Sequence, residues 1–578
     1  MALKTEPYRE LTPAALAVGV LIGIVMTAAF VFVALKLGFG MPGSTVAAIL
    51  GFAILRGALR KGSIVENNIN QTVASSVNNA SSGVAFTLPA LFILGLTYER
   101  AADFDVLPIL LAALAGSFLG IIFIIPLRKQ MIELERLRFP SGIAVASLLR
   151  TPGAGARQAK LLAGGFAVAA FFHVLSGTGV LPEELNLGAL AGFPEYVPVA
   201  IGISFASVGA GLLSGRGGLP FFFGALLAWW VIAPAAVGLG WVPSPQDMQL
   251  QNAPRGYDHF VAWDVAYYGM LRPLGIGVLI GGALSGVIAS FPAIKAALKS
   301  LSSATKTAGT AEELSPSVLY VGVAAAFVVI FAAAVFSSPD VGLGRAAVIA
   351  AVGTLWLGLA GLIVAQATGM TDISPISGMS LIGVTLMFFL SGNNMVAAVI
   401  LGVAVSIGIG QCADMMSDLK AGHLIGATPR MQQIAQFAVA WVGVPVAVGA
   451  VYLLWGDGGG FGPQNPSLSA PQGAALAAVI ESLQAGAAPL DKYVSGAAIG
   501  LGLGIFPIGG MAVLIGLAMY LPFYITMTYG LGCLTAIALR ARQGQRWMSE
   551  TLVPVAAGFI IGEALTSLSL VLVQLVAG

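Results

Sequence analysis

Residues 67–98, NNINQTVASSVNNASSGVAFTLPALFILGLTY, decide the fold. They hold no charged residue, yet eleven of the first 16 are Asn, Gln, Ser or Thr. On a helix, Asn67, Gln71, Ser75, Asn78 and Ser82 recur every three or four positions and share one face, with Asn68, Thr72 and Asn79 on the face beside it. The second half, GVAFTLPALFILGLTY, is apolar enough for a bilayer. Amides in hydrocarbon must find partners, which water, substrate or neighbouring helices supply. One reading is a lined polar path; the other is that the amides bond helices together, as Ser, Thr and Asn commonly do in membranes. Their density favours the path.

The surrounding composition has the same character. Of 578 residues, 58% are hydrophobic and only 9% charged, where a soluble domain carries about 25% charged residues; mean hydropathy is +0.93. Apolar runs of about 20 residues indicate helices and not barrel strands, and 75 glycines let them approach closely. The chain reads as an all-α polytopic membrane protein. A net charge of +2 without a basic tract excludes nucleic acid as a partner. Cys412 and Cys533 form no metal or disulfide pattern and read as core residues, so no cofactor or metal is expected. The first 13 residues lead into a span without a small-residue cleavage signature, so the first helix reads as retained. The longest polar connections, 242–264 and 300–315, are too short for a nucleotide-binding fold, which argues against a self-contained ATP-driven pump.

In chain order, 13–38 is a first span and 44–58 a second, ending at Arg56, Arg60 and Lys61. With Lys4, Arg9 and the basic run 128–138, RKQMIELERLR, these place the N-terminus in the cytoplasm by the positive-inside rule. The amide-rich element emerges near Glu99, Asp103 and Asp105 on the other side. The segment 139–149, FPSGIAVASLL, rises only about 16 Å as a helix, too little to cross. It reads as a re-entrant half helix with Pro140 in its first turn and Ser141 and Gly142 at an N-terminus that can face an anionic group; a short interfacial helix is the alternative. Spans at 161–181, 196–214, 219–240 and 266–290 complete the first half, which ends at Lys295, Lys299 and Lys306. His173, alone in an apolar span, and His259, in an external loop with Asp258 and Asp264, receive no role.

The second half echoes the first. ALKLG at 34–38 parallels AQATG at 365–369, and FPSGIAVA at 139–146 parallels APQGAALA at 470–477, so Gly38/Gly369, Pro140/Pro471 and Gly142/Gly473 are all 331 apart. GVLIGGAL at 277–284 parallels GFIIGEAL at 558–565 at an offset of 281. Duplication into halves 1–308 and 309–578 is the expectation, with substrate at their interface as in secondary transporters. Span parity leaves open whether the halves run parallel or inverted.

Residues 408–430, GIGQCADMMSDLKAGHLIGATPR, form the second-half element facing the amides. Asp414 and Asp418 lie one turn apart on one face, an arrangement suited to proton uptake and release. Lys420 or Arg430 offers an alternative role as their neutralising partner, and a solvated interfacial cluster is the bland reading. Glu563 is the clearest intramembrane carboxylate, with Glu550 the nearest preceding charge and none following. It reads as a proton relay or as a carboxyl bonded to a hydroxyl. Glu481, after the second half helix, is a weaker candidate.

The strings NNINQTVASSVNNASSGVAFTLPAL, RFPSGIAVASLL and ADMMSDLKAGHLIGATPRMQ resemble signature segments of the oligopeptide transporter superfamily, which includes yellow-stripe-like carriers of metal chelates. The similarity runs along nearly the whole chain in the family's order, and the short loops resemble its bacterial-type members. The resemblance implies about 16 transmembrane helices, import into the cytoplasm across the inner membrane, and proton symport. The expected function is a proton-coupled importer of small peptides or peptide-like metal chelates working by alternating access. Asn67, Asn68, Asn70, Gln71, Asn78, Asn79, Ser141 and Gln472 would bind substrate; Asp414, Asp418, Glu563 or Glu481 would carry the proton. Expected partners are substrate, protons and lipid, with homodimerisation left open. An ion or solute channel using the same amides is the second class. An enzyme is not expected, since HExxH and GxSxG are absent.

Overall fold

A computed structural model describes residues 9–577 except 41–42, 53, 56–58, 60–61, 98–104, 151–153, 194–196, 243–265, 290–291, 293–294, 296–313, 315, 372–373, 457–459, 463–464, 466–467, 486–488 and 507–509. Lys4, Arg56, Arg60, Lys61, Glu99, Asp103, Asp258, His259, Asp264, Lys299, Lys306 and the boundary expected at 308/309 lie outside the described residues.

The described chain is helical apart from two three-residue strands, β1 (Glu184–Asn186) and β2 (Ala200–Gly202), paired antiparallel. The first half contains α1 (Pro13–Leu37), α2 (Gly43–Phe52), α3 (Ile64–Thr87), α4 (Pro89–Thr97), α5 (Val106–Arg128), α6 (Pro140–Arg150), α7 (Ala154–Gly177), α8 (Leu187–Ala191), α9 (Phe205–Ser214), α10 (Leu219–Leu227), α11 (Ala233–Gly238) and α12 (Arg272–Ala289). The second contains α13 (Pro316–Ser337), α14 (Leu343–Thr371), α15 (Ile376–Leu390), α16 (Met395–Ile425), α17 (Pro429–Val439), α18 (Gly443–Gly456), α19 (Pro471–Ala485), α20 (Leu490–Leu503), α21 (Met511–Tyr520), α22 (Phe523–Trp547) and α23 (Val553–Ala577).

Among the described residues ten segments are long and apolar enough to cross a membrane, or eleven with the bent pair α17 and α18. One of them, Phe523–Val573, is 51 residues long, about twice a crossing, and contains the non-helical Gly544. The polytopic all-α class is as expected, but length and composition alone do not give the 16 crossings, because several interior apolar helices are short. The span expected at 44–58 is one of these. Its described helix, α2, has ten residues, rises about 15 Å and lies against α3; residues 53 and 56–58 of the expected span lie outside the described residues.

The 331-residue offset extends well beyond the sequence landmarks. It relates α1 to α14, α2 to α15, α3 to α16, α6 to α19 and α7 to α20. The N-caps Ser63 and Asn394, which accept from Glu66 and Ala397 backbone N–H groups, are also 331 apart. At the later offset of 281, α12 corresponds to α23. Counterparts exchange partners: α7 packs on α23, and α20 packs on α12. The exchange holds at single-residue detail, with glycines admitting backbone against backbone. A Cβ on Gly558 would lie 2.2 Å from the Leu162 carbonyl oxygen, and one on its counterpart Gly277 would lie 2.4 Å from that of Tyr493, the counterpart of Leu162. Gly558→Ala and Gly277→Ala are each expected to cost roughly 1–3 kcal/mol by forcing these helices apart. The melting temperature of the detergent-solubilised protein checks this, and no change in either variant would refute it.

The half helices are exchanged in the same way. Phe139 N–H, just before α6, donates to Gly369 O at 3.1 Å, while Ala470 N–H, just before α19, donates to Leu35 O at 2.8 Å. Phe139 and Ala470 are counterparts, and both hold a left-handed backbone, at φ 45° and 44°. Gly38 at φ 77° ends α1, and a Cβ there would meet Pro471 Cγ at 2.4 Å; one on Gly369 would meet the Phe139 ring at 2.7 Å. Each half helix therefore starts on the end of the other half's first shared helix.

Candidate translocation site

The site begins with α3. A capping box at Ser63 and Glu66 starts it, and no Pro interrupts it before Pro89. Together with α16 it forms the molecular centre: 89% of the residues in each of these apolar windows are buried, against 17% for the one containing α7. Thr87 Oγ1 lies 2.6 Å from Ser406 Oγ, Asn79 Nδ2 donates to Ile407 O at 3.1 Å, and Gln411 Nε2 donates to Ser76 Oγ at 3.4 Å. Descending numbers in α3 meet ascending ones in α16, so the two helices are antiparallel. As they are counterparts, the halves run through the apolar layer in opposite senses, the orientation that span parity left open.

The expected pairing of the amide stretch with 408–430 is thus present, while the roles of its amides divide. Asn67 Nδ2 donates to Ala48 O of α2 at 3.3 Å, Asn70 Nδ2 to Ala15 O of α1 at 3.1 Å, and Asn79 holds α16. These three bond helices together. Asn68 and Gln71 face each other at 3.4 Å, and Gln432 Nε2 donates to Thr72 Oγ1 at 2.9 Å and to Asp418 O at 3.0 Å. Asn68 Nδ2 and Gln71 Oε1 have no hydrogen-bond partner among the described residues, and neither do the Oδ1 atoms of Asn67, Asn70 and Asn79. Asn78 accepts from Ser81 at 3.3 Å. All six amides are 0–7% exposed.

The seam ends at the two aspartates. Asp418, 1% exposed, accepts from Ser44 Oγ at 2.9 Å, and Ser44 in turn lies 3.1 Å from Ser75 Oγ. Asp414 is the single exposed residue between 397 and 422, so one carboxyl reaches open space from a helix otherwise enclosed. Neither Lys420 nor Arg430 pairs with either aspartate among the described residues. The first turn of α6 lies beside them: a Cβ on Gly142 would be 2.4 Å from Ser417 O. Ser141 is exposed there.

Glu563 stands apart from this seam and is fully engaged. Oε1 accepts from Lys36 Nζ at 2.8 Å and Ser204 Oγ at 2.9 Å, and Oε2 accepts from Ala206 N–H at 2.8 Å. Nearby His173 Nε2 lies 2.6 Å from Ser567 Oγ, a satisfied lone histidine. Glu481 is half-buried on α19, ten residues beyond Pro471. Both cysteines are buried and free, and among the described residues no three His, Cys, Asp or Glu side chains gather to hold a metal.

The counterpart half helices are buried unequally. On α6, Pro140, Ser141, Ile143, Ala144 and Ser147 are exposed; on α19, Pro471, Ala474, Ala475 and Ala478 are buried, and Gln472 is half-buried with Nε2 donating to Gly38 O at 2.9 Å. Beside α19 lies a small cavity of about 40 Å³ walled by Phe86 and Thr87 of α3, Leu279, Ile280 and Ala283 of α12, Ser377, Ser380, Leu381 and Val384 of α15, and Gln472, Ala475 and Leu476 of α19.

Sequence reading missed Lys36, Ser44, Gln432 and this cavity. Lys36 is the lone cation of its span and Gln432 starts a Gln-Gln pair beside the aspartates, so both carried a signal; Ser44 and the cavity walls carried none.

The sequence pattern described as OPT oligopeptide transporter protein matches residues 10–574. The chain is similar to an oligopeptide transporter of Haemophilus influenzae, 27% identical over an alignment that covers 92% of this chain and 91% of the relative. It is similar to a metal-nicotianamine transporter of Arabidopsis thaliana, 24% identical over 81% of this chain and 77% of the relative. An iron-phytosiderophore transporter of Oryza sativa is likewise 24% identical, over 77% of this chain and 72% of the relative. By this match over nearly its whole length, the chain belongs to the OPT oligopeptide transporter family, a family of membrane transporters and not of enzymes.

Proposed function

We propose that the protein is a proton-coupled secondary transporter that imports small peptides or peptide-like metal chelates by alternating access. Its two halves, 1–308 and 309–578, form the moving parts, in the cytoplasmic (inner) membrane with the N-terminus inside. The unequal burial of α6 and α19 is the observation that carries this reading. Inverted counterparts with one gate open and one closed are what an alternating-access protein presents when caught on one side. The basic residues flanking α6, among them Lys129, Arg136, Arg138 and Arg150, support reading the open side as cytoplasmic by the positive-inside rule. Asn68, Gln71 and Asn78 then bind substrate together with Ser141 and Gln472, while Asn67, Asn70 and Asn79 hold the helices that shape the path. Asp414, exposed on α16, and Asp418, enclosed by hydroxyls and amides, carry the proton. The Lys36 pairing makes Glu563 a positioning residue, and Glu481 lies off the seam. A channel lined by the same amides is disfavoured, since they are almost wholly enclosed.

Reconstituted vesicles test the proposal. Uptake of a labelled tripeptide is expected to saturate and to rise when the interior is made alkaline. Uptake indifferent to that gradient refutes coupling, and flux linear in concentration refutes alternating access.

A further inference from the structure

The cavity beside α19 lies apart from the aspartates and is walled by both halves. We infer that it is the pocket for an uncharged, apolar substrate side chain, and that it selects short apolar peptides over metal chelates held by several carboxylates. This rests on the transport reading and deepens it.

The walls are mainly Phe86, Leu279, Ile280, Val384 and Leu476, and among the described residues no charged group lines them. Apolar walls with a few fixed polar groups are the ordinary composition of a small-molecule pocket. Ser380 is 8% exposed, and its hydroxyl has no hydrogen-bond partner among the described residues, so it can meet a peptide group. The Gln472 amide is held in place by Gly38 O.

The 331-residue offset sharpens the chemistry. It carries Thr87 to Asp418 and Gln472 to Ser141, so the corresponding region beside α6 has a carboxylate where this cavity has a hydroxyl. The α6 side is built for charge and the α19 side for its absence. An apolar side chain entering the cavity leaves water at a gain. A polycarboxylate chelate would lose hydration there with no cation on the walls to offset it. Because α3 and α12 come from one half and α15 and α19 from the other, movement between halves reshapes the pocket around its occupant.

Titration of the full-length protein in detergent with trileucine, triglycine and zinc–nicotianamine tests this. Trileucine is expected to bind at least about tenfold more tightly than either other probe. Leu476→Trp, which fills the cavity, is expected to weaken trileucine about tenfold without affecting triglycine. Ser380→Val should weaken it about threefold, and decides alone should Leu476→Trp fail to fold. Zinc–nicotianamine binding as tightly as trileucine, or trileucine affinity unmoved in the folded variants, overturns the assignment while leaving the transport reading in place. If no probe binds and none enters reconstituted vesicles, the transport reading falls with it.

Discussion

Glu563→Ala is expected to destabilise the folded protein by about 3–5 kcal/mol, the cost of leaving one member of a buried ion pair behind. The replacement strips three donors at once: the Lys36 ammonium, the Ser204 hydroxyl and the Ala206 N–H. Lys36 is 12% exposed at the end of α1, where water is a poor substitute for the carboxylate. The damage should spread, because Leu35 O and Gly38 O, flanking Lys36, receive the start of α19 through Ala470 N–H and Gln472. Lys36→Met is expected to cost a similar amount by stranding the carboxylate. The double variant Lys36→Met with Glu563→Leu removes both charges and should recover most of the loss, since apolar replacements of whole buried pairs are often neutral. A double-mutant cycle on melting of the detergent-solubilised protein measures this. Single variants within 0.5 kcal/mol of the parent, a loss about the size seen for surface changes, would contradict it.

Asp418→Asn is expected to abolish gradient-driven accumulation and spare exchange. Asparagine keeps an oxygen for the Ser44 hydroxyl, so the enclosed network should stay formed, but it cannot take up and release a proton. A gradient of one pH unit is worth about 1.4 kcal/mol per coupled proton, enough for tenfold accumulation. The parent should approach that ratio for one proton per substrate, whereas the variant should stop near one while still exchanging labelled for unlabelled peptide across the vesicle wall. Asp414→Asn should slow accumulation without lowering its final ratio if Asp414 relays protons between water and Asp418. Full accumulation by Asp418→Asn would remove that residue from the coupling path.

Both outcomes depend on contacts that sequence disclosed unevenly. The centrality of α3 was legible because an amide-dense stretch without charge from Asn67 onward has no other place in a bilayer. Which amides face a path was not. That depends on glycines in other helices, such as Gly51 and Gly443; a Cβ on Gly443 would lie 1.8 Å from Val77 O. These bring neighbours so close that Asn67 and Asn70 are used in packing. The shortness of α6 was legible because eleven residues between Arg138 and Arg150 cannot cross, and α19 was legible only as its repeat at the 331-residue offset. The described part of 44–58 is a short buried helix, and apolar composition does not distinguish such a helix from one facing lipid. Lys36 and Glu563 are 527 residues apart, and no local pattern joins them. The solvated-cluster reading of the aspartates fails for Asp418, which is enclosed, and describes only the exposure of Asp414.

The crossed bonds at Phe139 and Ala470 bear on how the chain is made. When a ribosome has released the first half, α6 has no Gly369 carbonyl to receive Phe139, and α12 lacks α20. The crossed bonds cannot both form until α14 and α19 have been made, and α7 stays without its partner until α23 arrives. Completion of these contacts is thus late. A nascent chain cut short before α14 would lack both crossed bonds.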